Sequence, residues 1–140
     1  MGIVADFAKA FNARDVNGLL ACFTERASYT DNFFGEHTGQ QSLREMFARM
    51  FREGRDYVWR MDHVVETPST AAAEWTFSYV VTDAVPRSAG RKVRFRGLSI
   101  FELEGGSIAR YREYFDTGVA LLQLGFTPEA IAKVLGRRIP

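Results

Sequence analysis

The hydrophobic period of this chain switches from helical to two near Gly54, and that change limits the folds open to it. Ahead of it, Leu43, Met46, Phe47, Met50 and Phe51 stand at i, i+3, i+4, i+7 and i+8, a stripe that a helix buries on one face. From Tyr57 onward apolar and polar residues alternate with period two, which sends successive side chains to opposite faces of a sheet. Helices gathered in front and strands behind predict an α+β fold, a curved antiparallel sheet folded over its N-terminal helices.

The same reading sets the order of elements. Ile3, Val4, Phe7, Ala10 and Phe11 share one face of a first helix that stops near Asn12-Ala-Arg-Asp15. Asp15 is placed to cap a second, shorter helix that buries Leu19, Leu20 and Phe23. Ala27–Asp31 reads as a short strand with Tyr29 and Asp31 on one face, followed by a loop at Asn32-Phe-Phe-Gly35. Thr38-Gly-Gln-Gln41 has capping-box spacing, with Thr38 as cap and Gln41 reaching back, and Gly54 ends the third helix. Tyr57–Thr67, Thr70–Thr82, Lys92–Leu103 and Ser107–Phe115 follow as strands in antiparallel succession. After Asp116 a short helix closes at Gly125, and Thr127-Pro128-Glu129 opens a last one that ends at Gly136.

A length of 140 residues predicts one domain over residues 1–140, and 46% apolar composition with 12 Phe is ample for its core. The net charge of +1 argues against a nucleic-acid partner. Cys22, the one cysteine, lies in the apolar run Leu19–Phe23 and reads as a buried inert thiol. Asp6 and Lys9 interrupt the first apolar stretch and no span of membrane length follows, so a soluble cytoplasmic protein is expected. The two histidines, His37 and His63, have no metal-ligand spacing with the scattered carboxylates, and neither metal nor cofactor is expected.

Alternation aligns Ala73, Trp75, Phe77 and Tyr79 on one face of their strand, and Phe95, Gly97, Ser99 and Phe101 on one face of the next. Bulky walls with small residues between them can leave an apolar cavity; the alternative is a tightly packed aromatic core. Thr76, Ser78, Leu98 and Ile100 then face outward, with Arg94 and Arg96, and the outward apolar pair suggests a homodimer through this face.

The last strand, Arg110-Tyr-Arg-Glu-Tyr-Phe-Asp116, ends in a carboxylate walled by Tyr114 and Phe115. Desolvation there would fit Asp116 for acid/base chemistry, while its place ahead of a helix equally fits an N-cap. Arg112 shares its parity and, with no bulge, would face it. His37 is a pocket-rim proton carrier or an exposed loop residue, and His63 a core or interface residue.

Several stretches carry a family likeness. Phe7, Asn12-Ala-Arg-Asp15, Phe23-Thr-Glu-Arg-Ala27, Gly39, Gly97-Leu-Ser-Ile-Phe101 and Gly106–Asp116 resemble the nuclear transport factor 2-like superfamily. Within it the chain looks most like SnoaL-like polyketide cyclases, ketosteroid isomerases and limonene epoxide hydrolases. The resemblance implies a cone-shaped barrel with an apolar cavity, commonly a homodimer. It places Asp31 at the isomerases' general base, but Phe7 and Ser99 stand where their oxyanion donors belong. Asp116 matches the strand-end aspartate of cyclases and hydrolases, and Tyr29 the hydrolases' water-holding tyrosine. Asp31 replaces the hydrolases' asparagine, and Trp75 and Phe77 replace their arginine and aspartate.

Two function classes follow. One is an acid/base enzyme of cyclase, isomerase or hydrolase type, with catalytic Asp31 and Asp116 acting on a small apolar, carbonyl-bearing or polyketide-like molecule. Its pocket would be lined by Tyr29, His37, Trp75, Phe77, Ser99, Phe101 and Tyr114. The alternative is a non-catalytic module of the same fold that binds a hydrophobic ligand or dimerises.

Overall fold

The computed structural model describes residues 2–140. Helices α1 (Ile3–Asn12) and α2 (Val16–Ala21) lead into a hairpin of β1 (Phe23–Asp31) and β2 (Gly35–Thr38). Helix α3 (Gln40–Glu53) precedes the meander β3 (Gly54–Glu66), β4 (Thr70–Val81), β5 (Lys92–Glu104) and β6 (Ser107–Phe115). Helices α4 (Thr117–Gln123) and α5 (Pro128–Gly136) close the chain. The strands form one curved, open sheet in the order β2-β1-β6-β5-β4-β3. No helix among the described residues is long and apolar enough to cross a membrane.

The expected antiparallel sheet contains one exception: β1 lies parallel to β6, pairing Tyr29 with Tyr111 and Thr30 with Arg112. Periodicity assigns faces and not neighbours, so this pairing had no signal in the sequence. It matters for the site, because it sets the chemistry of β1 beside that of β6.

Two further expectations change. The stretch 35–38 forms a strand, and its ladder with β1 (Ser28 with Thr38, Asp31 with Gly35) takes Thr38 away from capping. Gly39 stands at the N-cap of α3 with φ 88°, a left-handed turn that glycine adopts without strain, and Gln41 bonds Glu45 instead of reaching back. Thr76, expected outward, is on the outer face but buried, because Asp62 accepts its hydroxyl proton at 2.7 Å and Arg60 lies over it.

The inner-face assignment holds: Trp75, Phe77, Phe95 and Phe101 are all buried in the core, while Arg94 and Arg96 are exposed. Phe7 at the centre of α1 meets Phe23, Trp59, Phe101 and Tyr111, which ties the first helix to the concave sheet. Asn12 fastens its end by donating to the Trp59 carbonyl at 2.9 Å and accepting from the Trp59 N–H at 2.8 Å. The side-chain amide thus replaces a strand partner at the edge of the sheet. Cys22 is buried with its thiol pushed up to about 11, first by burial and then by the charge of Asp6, as an inert thiol should be.

Helix α4 is strapped across the sheet. Gln123 accepts from the Arg94 N–H and donates to the Arg94 carbonyl, both at 2.7 Å, and the Ser88 hydroxyl donates to the Leu124 carbonyl at 2.7 Å. These bonds hold Leu124 against the space enclosed by the inner faces of β3 to β6.

Candidate active site

That space is a cavity of about 200 Å³. Strands β3 and β4 contribute Tyr57, Trp59, Trp75, Phe77 and Tyr79, and β5 and β6 contribute Phe95, Glu113 and Phe115. Asp31, Phe33 and Phe34 enter from the β1–β2 turn, and Arg49, Met50 and Glu53 from α3. Its volume is below the roughly 300–1,000 Å³ of sites for drug-sized ligands, so it suits a small molecule.

Two carboxyl groups meet at its wall, Asp31 and Glu113, each only 5% exposed. Asp31 ends β1, and its Oδ1 accepts the backbone N–H groups of Phe33 at 2.6 Å and Phe34 at 2.8 Å, which closes the turn into β2. Glu113 shares the inward parity of Tyr111 and Phe115 on β6. The parallel pairing of β1 and β6 brings it beside Asp31, close enough to share a proton.

Behind Glu113 runs a buried chain of hydrogen bonds. Tyr111 donates its hydroxyl proton to Glu113 Oε2 at 2.8 Å. With that proton committed, Ser99 donates to the Tyr111 oxygen at 2.7 Å, and Trp75 Nε1 donates to Ser99 Oγ at 2.8 Å. All these bonds point toward Glu113, so a proton on Glu113 belongs on its other oxygen. Burial, then the charge of Asp31, then the hydrogen bond with Asp31, push Glu113 well above the ordinary carboxylate range. Tyr111 and the backbone N–H of Asn32 oppose this without reversing it. Burial and the charge of Glu113 likewise raise Tyr111. The result is a neutral carboxylic acid held next to a second carboxyl group.

Of the residues expected at the site, Asp31, Trp75 and Phe77 line the cavity. Tyr29 and Phe101 are fully buried behind the lining and pack on Tyr111, with ring centroids 4.1 Å and 5.2 Å away. Ser99 is also behind it, acting through Tyr111. Asp116 is not there. It is exposed and caps α4, accepting the Val119 N–H at 3.2 Å, because the period of β6 carries residues 112, 114 and 116 to the outer side. Tyr114 follows the same parity and is 60% exposed. Arg112, on the outer face, pairs with Glu102 and meets neither aspartate.

His37, half-buried on β2, bonds the Phe34 carbonyl at 2.9 Å and Ser42 at 3.3 Å, away from the cavity. His63 is exposed on β3, not part of the core. Sequence reasoning passed over Glu113, although a carboxylate alternating with Tyr111 and Phe115 was a visible sign of an inward acid. Among the described residues, no set of three or more His, Cys, Asp and Glu side chains converges as metal ligands would.

Residues 4–111 match a family described as SnoaL-like domain. The chain belongs to that family. The match ends just before Glu113, so the acid lies outside the part of this SnoaL-like domain that the family pattern covers. No curated protein matches the sequence.

Solved structures share the fold. A candidate polyketide cyclase from Xanthomonas campestris pv. campestris superimposes with TM-score 0.78 at 21% identity, over 88% of this chain and 94% of that one. A protein of ketosteroid isomerase-like fold from Catenulispora acidiphila, solved with trimethylamine, gives 0.78 at 17% identity over 91% and 95%. An LEH-like epoxide hydrolase of M. tuberculosis gives 0.72 at 18% identity over 96% and 93%. At these identities the likeness establishes the architecture, a nuclear transport factor 2-like fold.

The exposed cap yields a direct expectation. Asp116→Asn keeps an acceptor of equal capping strength. Stability should change by less than about 0.5 kcal/mol, and any activity found for the protein should stay at the wild-type level, measured by thermal unfolding and by assay. A loss of activity in a folded Asp116→Asn variant would return Asp116 to the catalytic machinery.

Proposed function

We propose that this SnoaL-like domain is an acid/base enzyme acting on a small, mostly apolar molecule held in the cavity. The observation that carries the reading is the Asp31–Glu113 pair, two buried carboxyl groups opening on an aromatic cavity, with Glu113 pushed well above the ordinary carboxylate range by burial and by its neighbour's charge. Glu113 donates its proton to a substrate oxygen, such as a carbonyl or epoxide, and Asp31 removes a proton from substrate carbon or from water. As Glu113 becomes charged, the hydroxyl of Tyr111, backed by Ser99 and Trp75, stabilises it. Proton removal from carbon corresponds to cyclase or isomerase chemistry, and removal from water to hydrolase chemistry. Steroid isomerisation is disfavoured, because Phe7 is an apolar core ring and Ser99 is engaged behind the cavity.

The two hydrogen bonds that Asp31 accepts from the turn support a second reading, in which Asp31 is structural and the cavity only binds. A panel of small ketones and epoxides in D₂O separates the two. Deuterium exchange at carbon or ring opening, lost in Asp31→Asn while the cavity still binds ligand, supports catalysis. Binding without exchange or opening for any compound supports the binding module.

The reading includes a homodimer through the outer face, supported by exposed Leu98 and half-buried Ile100 on β5. Light scattering should give twice the chain mass at micromolar concentration; monomer alone would overturn it.

A further inference from the structure

Charge inside the cavity is unevenly matched. Asp31, Glu53 and Glu113 are its acidic lining residues and Arg49 is its one basic residue. Arg49 is engaged elsewhere: its Nε lies 3.0 Å from Glu53 Oε2, and its guanidinium rests 4.8 Å over the ring of Phe34. No cationic side chain of the lining remains for the carboxyl pair, whose partners are the Tyr111 hydroxyl and the backbone N–H groups of residues 32 to 34. With one shared proton, the pair still holds a full negative charge away from water.

The walls have the same preference. Nine aromatic side chains line the cavity, and their ring faces carry negative potential. Phe95 stacks on Phe115 at 4.4 Å, with Trp75 at 6.0 Å and 6.2 Å from them, so these rings form a corner across β4, β5 and β6, the last of which carries Glu113. Tyr57 and Tyr79 stack at 5.0 Å on the other side, and the charge of Asp31 reaches both. A negative ligand would meet repulsion from the pair and from the ring faces, while a neutral one would leave the buried charge uncompensated. A cation is attracted by both.

We infer that the cavity selects a small organic cation, an alkylammonium group seated against the corner of Trp75, Phe95 and Phe115 with its charge toward the Asp31–Glu113 pair. This names the substrate class for the proposed acid/base site, and it rests on the reading of that pair as the working group of the cavity.

The test compares choline with 3,3-dimethylbutan-1-ol, its uncharged isostere of nearly the same shape, using the wild-type protein. Binding is read by quenching of tryptophan fluorescence, since Trp59 and Trp75 both line the cavity, and by calorimetry. Choline should bind at least about tenfold more tightly than the isostere, the size expected for a desolvated cation on aromatic faces. Equal affinities, tighter binding of the isostere, or no binding of choline would each overturn the inference. The catalytic reading fails separately. Preferential choline binding with no proton transfer on any substrate leaves a cation-binding pocket, whereas turnover of neutral ketones with no preference for choline leaves the enzyme and removes the inference.

Discussion

Glu113→Gln is expected to lower turnover by about 10²–10⁴-fold, the usual contribution of a general acid, with the fold intact. Glutamine has the same shape, and its amide oxygen can still accept the Tyr111 proton, so the chain through Ser99 to Trp75 survives. What disappears is the exchangeable proton. The variant also has a signature in stability that does not need a substrate. Folded Glu113 titrates well above its unfolded value of about 4.3, so between those two values the native state holds a proton that the unfolded chain has released. Wild-type stability should therefore be full below the unfolded value. It should fall by about 1.4 kcal/mol per pH unit as pH rises toward the folded value, and then level off. Denaturant titrations across pH should show that fall in the wild type and lack it in Glu113→Gln. Parallel curves would mean that Glu113 is not the proton carrier, and a variant with wild-type turnover would remove it from the chemistry. Glu113→Ala, by contrast, leaves a buried Tyr111 hydroxyl without its acceptor and should cost about 1–3 kcal/mol.

Gly97→Ala is expected to destabilise the protein by about 1–3 kcal/mol and to abolish ligand binding. A Cβ at Gly97 would lie 2.5 Å from Trp75 Cζ2 and 2.8 Å from the Tyr114 carbonyl oxygen. The carbonyl belongs to the β5–β6 ladder and cannot move, so the indole must. Its displacement breaks the Nε1 bond to Ser99, loosens the chain behind Glu113 and drives the ring into the cavity or into the facing Trp59, whose centroid is 5.5 Å away. Denaturant unfolding and tryptophan emission would register both effects. Wild-type stability together with undiminished binding would show that Trp75 has room to spare and that the cavity is not shaped by Gly97.

The chain itself decided a good deal of this. The switch of period near Gly54 determined the helices in front, the strands behind and which of Trp75, Phe77, Phe95 and Phe101 face inward, because period two leaves a side chain only two directions. The Thr127 cap, the Asp15 cap and the glycine stop at Gly125 were equally legible, since each depends on a few neighbouring residues. The family, too, was readable from the words of the sequence.

What lay beyond it is the site. At Asp116, which reads equally as acid or as cap, parity turns residues 112, 114 and 116 outward and residues 111, 113 and 115 inward, and the side chain caps α4. That Glu113 meets Asp31 depends on the parallel contact of β1 and β6, strands separated by most of the chain, and no local pattern encodes which strands become neighbours. Burial then sets the pair apart: the same glutamate on an exposed strand would be an ordinary surface charge, and only the aromatic walls assembled from four strands and a turn keep water from its proton.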